Sequence, residues 1–525
     1  MSTVKTEASC SPLAVQAEGF ARWMDHLFTL VAKSADDQAR VWLAGFTGIY
    51  VAFTVLGSLA KPMWLDELYT FYVSRVPGWK ERLPLGADIP PAFYGLTNAC
   101  IRLFGGNSFA VRLPETLGFL LMCVCVFVFV RRRCRAIYAF LAMFLLAGSM
   151  AYPYAYEARP YGIILGLAGL SLYSWQSIGE GRRRKLSLLF LMLSVAIAVN
   201  IHYFGAQIAV PLLAGEAVRS VKRSKVDWGV IFAVALGLSP LSVILPLALR
   251  ESSTPRPPTF WSPANLASFF HFYDHLFEPM LFCVVAGMAA TALVYLLSGP
   301  EPDSAGPTGA EFLLHELAAC AAYLLLPAMA VLACRLSTGI WYDRYGLTAV
   351  LGCVILFVYL CSCLCRQRFV MPCLLIASLF CMWAFRAVGS GVRRSGQGSD
   401  LRTSSPIYPK ADALPIVVAD KHWFLPMAHY SAPQVVSRLV YLTDVANAAR
   451  SPDLYKDDRS LFLWRNILPG TVEDYQVFLS RNREFWLLYR NQGGLEWVPS
   501  QLKEDGWNLE YQSQDSDQIL FRVTR

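Results

Sequence analysis

The chain has 525 residues, 55% of them hydrophobic, 13% aromatic and only 16% charged. That composition excludes an ordinary soluble globular domain. The formal net charge of +8 does not argue for a nucleic-acid partner, because the basic clusters fall on short loops between apolar runs.

Residues 1–40 form a lead with weak helical amphipathicity around 13–33. Asp25, Asp36 and Asp37 interrupt its apolar positions, so it does not read as a cleavable signal. Eleven apolar runs follow, at 41–60, 109–130, 136–155, 161–178, 186–203, 204–218, 228–249, 280–298, 313–334, 345–365 and 369–389. Most approach or exceed the ~18 residues needed to cross a bilayer core as a helix. The chain therefore reads as a mainly α, polytopic membrane protein with about 11 transmembrane helices. Runs 161–178 and 204–218 are short or weakly separated.

Orientation comes from charge. Arg131-Arg132-Arg133-Cys134-Arg135, Arg182-Arg183-Arg184-Lys185, Arg219 through Lys225, and Arg366-Gln367-Arg368 lie on alternate connections. Positive loops stay in the cytoplasm, which places the N-terminus there too. The loop 299–312, rich in Gly, Pro, Ser and acids, belongs to the same side. The opposite face receives 61–108, 152–161, 202–204, 250–279, 335–345 and the tail after 390. Of the 14 cysteines, Cys123, Cys125, Cys361, Cys363 and Cys365 sit inside apolar runs, where they read as packing rather than metal or redox chemistry.

Residues 391–410 read as a polar linker, and 411–525 change character. LPIVVAD (414–420), RLVYLTD (438–444), EFWLLYR (484–490) and QILFRVTR (518–525) read as short strands. Residues 421–436 suit a helix, and TVEDYQVFLSRN (471–482) suits an amphipathic helix capped near Thr471. The expectation is a small C-terminal α/β domain outside the cytoplasm, joined to a membrane domain at 41–390.

The polar residues suited to chemistry collect on the non-basic connections. Asp66 and Glu67 end the first span, Asp88 lies in the same connection, and Glu157, Arg159, His202, Tyr203, Asp343, Arg344 and Tyr345 lie on later ones. Ionisable groups gathered at one membrane face point to a site. Adjacent acids leave a helix in different directions, so only one can enter a given pocket. Bland readings exist for each. Asp66 or Asp88 can cap a helix, Arg112 can anchor a loop, Glu157 can pair with Arg159, His202 can be a boundary residue, and Asp343 can pair with Arg344.

LDELYTFYVSR (65–75), ADIPPAFYGLTNACIRLFGGNSFAVRLPETLGFL (87–120) and YAYEARPYGIILGLAGLSLYSW (154–175) together resemble the bacterial polytopic glycosyltransferases of the GT-C class. These are relatives of the protein O-mannosyltransferases and the lipid A aminoarabinose transferase. His202-Tyr203 and Arg344-Tyr345 fit the same pattern, and the likeness runs over about 41–350. One departure is Ile89, where many relatives carry His or another polar residue before Pro-Pro.

The resemblance implies transfer of a sugar from a polyprenyl-phosphate donor, on the extracytoplasmic face of a bacterial inner membrane. It implies Asp66 as base, with Glu67 and Asp88 as further catalytic candidates. Arg159 and Arg344 become phosphate ligands, and Glu157, His202, Tyr203 and Tyr345 substrate contacts. The expected partners are the bilayer, the lipid-linked sugar and a glycan, glycolipid or protein acceptor. No cofactor beyond the lipid donor is implied, and metal dependence stays open. Alternatives are an oligosaccharyltransferase, for which WYDRYG (341–346) is a superficial motif, a transporter, or a membrane scaffold. The loop 250–279 suits a cover over the site.

Overall fold

The computed structural model describes residues 12–82, 85, 89–252, 263–298, 312–337, 339–365, 368–400, 413–444, 458, 461–490, 497–515 and 518–525. The lead is helix α1 (Pro12–Asp37), and the first apolar run is α2 (Ala39–Ala60). The long connection after it folds into α3 (Leu65–Arg75), α4 (Trp79–Arg82) and α5 (Pro91–Phe104). The helices that follow, up to residue 400, are α6 (Ser108–Arg131), α7 (Ala136–Gly148), α8 (Tyr161–Gly179), α9 (Arg184–Ile201), α10 (Ala209–Arg223), α11 (Trp228–Leu238), α12 (Leu241–Ser252), α13 (Leu266–Ser298), α14 (Leu314–Ser337), α15 (Ala349–Cys365) and α16 (Val370–Asp400).

Among the described residues seven helical segments are long and apolar enough to cross a membrane, and α7 and α15 are shorter apolar helices. The eleven apolar runs therefore do not map one to one onto full-length spans. Run 136–155 shows why. Pro153 and Pro160 bracket its end, so the helix stops at Gly148 and a 3-10 turn (Tyr152–Tyr156) carries the chain to α8.

Two ends of the bundle are distinct. At one, acids knit the basic clusters together. Arg133 reaches Glu316 at 2.6 Å and Glu180 at 2.8 Å, Arg184 reaches Asp227 at 2.6 Å, and Arg135 reaches Asp36 at 2.7 Å. At the other end the 61–108, 152–161 and 341–346 connections meet.

The join that sets the second end is α6 against α8. Gly118 of α6 faces Gly162 and Gly166 of α8 so closely that a Cβ on Gly166 would lie 2.3 Å from the Gly118 carbonyl oxygen. A Cβ on Gly118 would lie 2.5 Å from the Gly162 carbonyl oxygen. Only hydrogen at these positions lets the two backbones touch, the usual device where lipid supplies no hydrophobic drive for helix association. The contact seats the turn before α8 beside the start of α6.

The tail holds β1 (Ile416–Val418), α17 (Lys421–Tyr430), α18 (Pro433–Val436), β2 (Leu439–Thr443), β3 (Thr471–Asp474), α19 (Tyr475–Arg481), β4 (Glu484–Arg490), α20 (Val498–Glu504), β5 (Asn508–Gln514) and β6 (Gln518–Thr524). They form one sheet in the order β3-β2-β1-β4-β6-β5. The first four strands are parallel, and β6 and β5 are antiparallel. Alternate residues bury two faces. Ile416, Val418, Leu439, Tyr441, Trp486 and Leu488 share a cluster with α3, whereas Val417, Val440, Leu442, Phe485 and Leu487 pack under α19 and α20.

Two expectations for the tail are corrected. Residues 471–474 are strand, not the first turn of a helix, because they pair with β2, and Asp474 rather than Thr471 caps α19 through Gln476 N–H and Val477 N–H. Strand β5 is a second departure. Its mixed, largely exposed sequence has no alternating apolar signal, and pairing with β6 makes it a strand. The first part of the stretch read as linker continues α16 to Asp400, and residues 401–412 lie outside the described residues. So does the loop 299–311 and residues 253–262 of the 250–279 connection.

The α6–α8 contact is testable. Gly166→Ala should lower stability by about 1–3 kcal/mol through overpacking. Gly48→Ala, where a Cβ meets nothing within 4 Å, should leave it unchanged or slightly raised. Thermal unfolding of the detergent-solubilised protein checks both. Equal melting temperatures for the two variants would rule the contact out as a stabilising feature.

Candidate active site

Helix α3 begins at Leu65 with two acids in its first turn, where the helix dipole favours negative charge. The two diverge. Glu67 is fully buried. Its Oε1 accepts from Arg112 Nε at 2.6 Å and its Oε2 from an Arg112 terminal nitrogen at 2.8 Å, a bidentate pair. The rest of that guanidinium donates to the carbonyl oxygens of Ser58 at 2.5 Å, Lys61 at 2.8 Å and Pro62 at 3.3 Å. Those contacts use all five N–H donors of the side chain.

Glu67 Oε1 accepts a further bond from Ala158 N–H at 2.9 Å, and Thr70 Oγ1 donates to the Ala158 carbonyl oxygen at 2.9 Å. One carboxylate thus joins the end of α2, helix α3, helix α6 and the turn carrying Arg159. The resemblance groups Glu67 with Asp66 as a catalytic candidate; in the fold its side chain is fully enclosed.

Asp66 is partly exposed. Its Oδ2 lies 3.2 Å from Arg159 and 3.9 Å from Arg344. Three connections far apart in sequence meet there: the start of α3, the turn before α8, and the 3-10 turn Asp343–Tyr345 before α15. Two guanidiniums against one carboxylate leave the cluster net positive. Each guanidinium also keeps a buried Nε–H with no hydrogen-bond partner among the described residues. Burial works against the charge on Arg159, yet Asp66 and Tyr161 outweigh it and hold the group above its ordinary value. For Arg344 burial is likewise outweighed, by Tyr161, Tyr345 and Asp66.

An aromatic wall adjoins the pair. Arg344 lies 4.2 Å over the Tyr342 ring, and Tyr345 stacks on Phe204 at 4.2 Å. His202 is buried, lies 4.3 Å from the Tyr203 ring and 5.7 Å from the Tyr161 ring, and its Nδ1 accepts from Phe204 N–H at 3.2 Å. Gln207 donates to the Tyr345 carbonyl oxygen at 3.0 Å, which ties the 202–208 turn to the Arg344 turn.

The remaining candidates have other partners than their sequence neighbours. Glu157 pairs with Lys61 at 2.8 Å, not with Arg159. Asp343 accepts from Trp341 Nε1 at 2.9 Å and meets His275 Nδ1 at 2.9 Å, not Arg344. Asp88 lies outside the described residues. Among the described residues no group of three or more His, Cys, Asp or Glu side chains is arranged to hold a metal ion. Lys61 and Tyr161 belong to the site as well, beside Glu157 and Arg159 respectively. Lys61 closes an apolar run, which is its only signal in the sequence.

The Glu67 lock carries a prediction. Glu67→Gln keeps the shape but leaves Arg112 as a buried charge without a counter-charge. Breaking a buried pair from one side costs about 3–5 kcal/mol. The variant should therefore show a lowered melting temperature and poor yield in membranes, which thermal unfolding and quantitative blotting would reveal. Wild-type stability in Glu67→Gln would exclude the pair as the lock.

Comparison with known proteins places this geometry. Residues 88–246 match the family described as dolichyl-phosphate-mannose-protein mannosyltransferase. No curated protein sequence gives a significant match. The fold is similar to the crystal structure of ArnT from Cupriavidus metallidurans bound to undecaprenyl phosphate. The TM-score is 0.56 at 14% identity, over 92% of this chain and 98% of that one. The apo state of the same protein gives a TM-score of 0.51, with the same identity and coverage. The chain thus shares the GT-C fold of these structures, and the family match covers the part of it from residue 88 to residue 246.

Proposed function

We propose that the protein transfers a sugar from a polyprenyl-phosphate donor to an acceptor at the extracytoplasmic face of a bacterial inner membrane. The observation that carries this reading is the triad of Asp66, Arg159 and Arg344, with a buried Nε–H on each arginine that has no partner among the described residues. A planar donor fork suits a phosphate oxygen pair. The similar ArnT structure with undecaprenyl phosphate supports a lipid of this class as carrier.

The chemistry follows from charge. The acceptor hydroxyl loses its proton to the Asp66 carboxylate as its oxygen bonds to the anomeric carbon. The bond from that carbon to the phosphate oxygen breaks, and the electron pair leaves with the phosphate, whose charge Arg159 and Arg344 stabilise. The transition state is oxocarbenium-like, and a single displacement inverts the configuration. An incoming phosphate competes with Asp66 for the same two guanidiniums. Donor binding thereby frees the carboxylate at the moment a base is needed.

Tyr345 lies beside Arg344, and His202 and Tyr203 continue the aromatic wall from it, against which a sugar ring or the first isoprene would lie, while Glu157 with Lys61 borders the turn bearing Arg159. A glycan or glycolipid acceptor fits better than a protein, because no β-trefoil insert of the eukaryotic protein O-mannosyltransferase type is recognisable in the sequence. The N-terminus and the basic clusters face the cytoplasm, with the α/β domain outside.

Asp66→Asn should insert, fold and bind donor lipid, yet transfer sugar ~100-fold or more slowly. Arg159→Lys and Arg344→Lys should weaken donor use by about 1.5–3 kcal/mol for each lost charge-assisted contact. Transfer of radiolabelled sugar in vesicles with matched expression measures all three. Near-normal turnover in Asp66→Asn would reassign the base. For orientation, reporter fusions at the N-terminus and at residue 450 should report opposite sides of the membrane, and the same side for both would overturn the topology.

A further inference from the structure

Helix α3 is held from above as well as from below. Met63, Leu68 and Phe71 share one buried apolar cluster with Phe424, Met427 and Ala428 of the C-terminal domain. Polar contacts fix the register of that packing. The Tyr430 hydroxyl accepts from Met63 N–H at 2.6 Å. The Tyr72 hydroxyl and His429 Nδ1 share a hydrogen bond of 2.6 Å. His429 also meets the Phe71 ring edge-on at 5.5 Å. Burial, with Arg75 as a lesser cause, holds His429 below its ordinary value.

The placement of these contacts matters. Met63 stands three residues ahead of Asp66, and Tyr72 lies two turns further along the same 11-residue helix. A helix of that length is marginal on its own. The Glu67–Arg112 pair fixes its inner side, Asn98 of α5 donates to the Ser74 carbonyl oxygen near its far end at 2.7 Å, and the C-terminal domain holds the entry to the helix through Tyr430. A shift of α3 would carry Asp66 away from Arg159.

We propose that Tyr430 and His429 are positioning residues for Asp66, so that the C-terminal domain forms part of the catalytic apparatus and is not an appended module. This rests on the reading of Asp66 as the base of sugar transfer. Misplacing a catalytic group by about 1 Å can cost on the order of 100-fold. Loss of the Tyr430 or the His429 contact should slow turnover by about 10- to 100-fold, with the KM for donor lipid held, since these two residues bond Met63 and Tyr72 and not the arginines.

The test uses the full chain in vesicles with a polyprenyl-phosphate sugar, and compares Tyr430→Phe, His429→Ala and His429→Gln. A fourth variant, Tyr475→Phe, removes a hydrogen bond to Asp505 on the far side of the domain sheet. Tyr430→Phe and His429→Ala should lower kcat at constant KM, His429→Gln should recover most of it by bonding Tyr72 again, and Tyr475→Phe should match the wild type. Hydrogen exchange over residues 63–75 gives a readout independent of transfer, and should rise in the first two variants alone. Unchanged exchange there, or a kcat within twofold of wild type, overturns the positioning role. An equal fall in Tyr475→Phe overturns it too, since general loss of domain stability then explains the effect. A wild-type protein that transfers no sugar removes the functional reading, and the exchange data still decide the clamp.

Discussion

The buried pair between Glu67 and Arg112 is the constraint on which the candidate site depends. It brings four pieces of chain to one point, and it does so with a side chain whose five donors are all satisfied. A charge pair taken out of water is stable only under such conditions, since desolvation otherwise exceeds the Coulombic gain. Here the remaining lone pair of Glu67 is met by a backbone N–H from the turn that carries Arg159. The support and the phosphate candidate are thus adjacent in the chain, Ala158 and Arg159. Moving one moves the other.

The Asp-Glu dipeptide divides two tasks by direction alone. On a helix, neighbouring residues point about 100° apart, so one acid can face the protein and the next the cleft. Glu67 lies inside the lock and Asp66 between two arginines. The α6–α8 glycine contact is what lets the Arg159 turn approach closely enough for both. Bulkier residues at Gly118 or Gly166 would move the α8 turn outward and open the triad. Packing inside the bundle therefore sets electrostatics at its end.

Much of this was legible in the sequence, for identifiable reasons. Spans, their basic loops and the aromatic connection 61–108 follow from hydropathy and charge, which are local properties. The tail's parallel strands were visible where both faces are buried, as in LPIVVAD. Pairing partners were not legible. Glue between Glu157 and Lys61, or between Asp343 and His275, joins positions 96 and 68 residues apart, and nothing in local composition marks them. The strand Thr471–Asp474 was hidden for the same reason: its identity comes from β2, while its own residues read equally well as a helix start.

The docking of the C-terminal domain was the least legible feature, and physics explains why. Met63, Leu65, Leu68 and Phe71 carry no local mark of what covers them, because an apolar stripe is the same stripe whether lipid or protein lies on it. The structure covers it with the sheet of another domain. Lipid would leave the helix free to slide and rotate in the interface. A packed sheet with a hydrogen bond to the Met63 N–H does not. A carboxylate that must meet two arginines on separate connections at 3.2 and 3.9 Å needs the second kind of cover. The α/β domain thus answers a need created by helix α3.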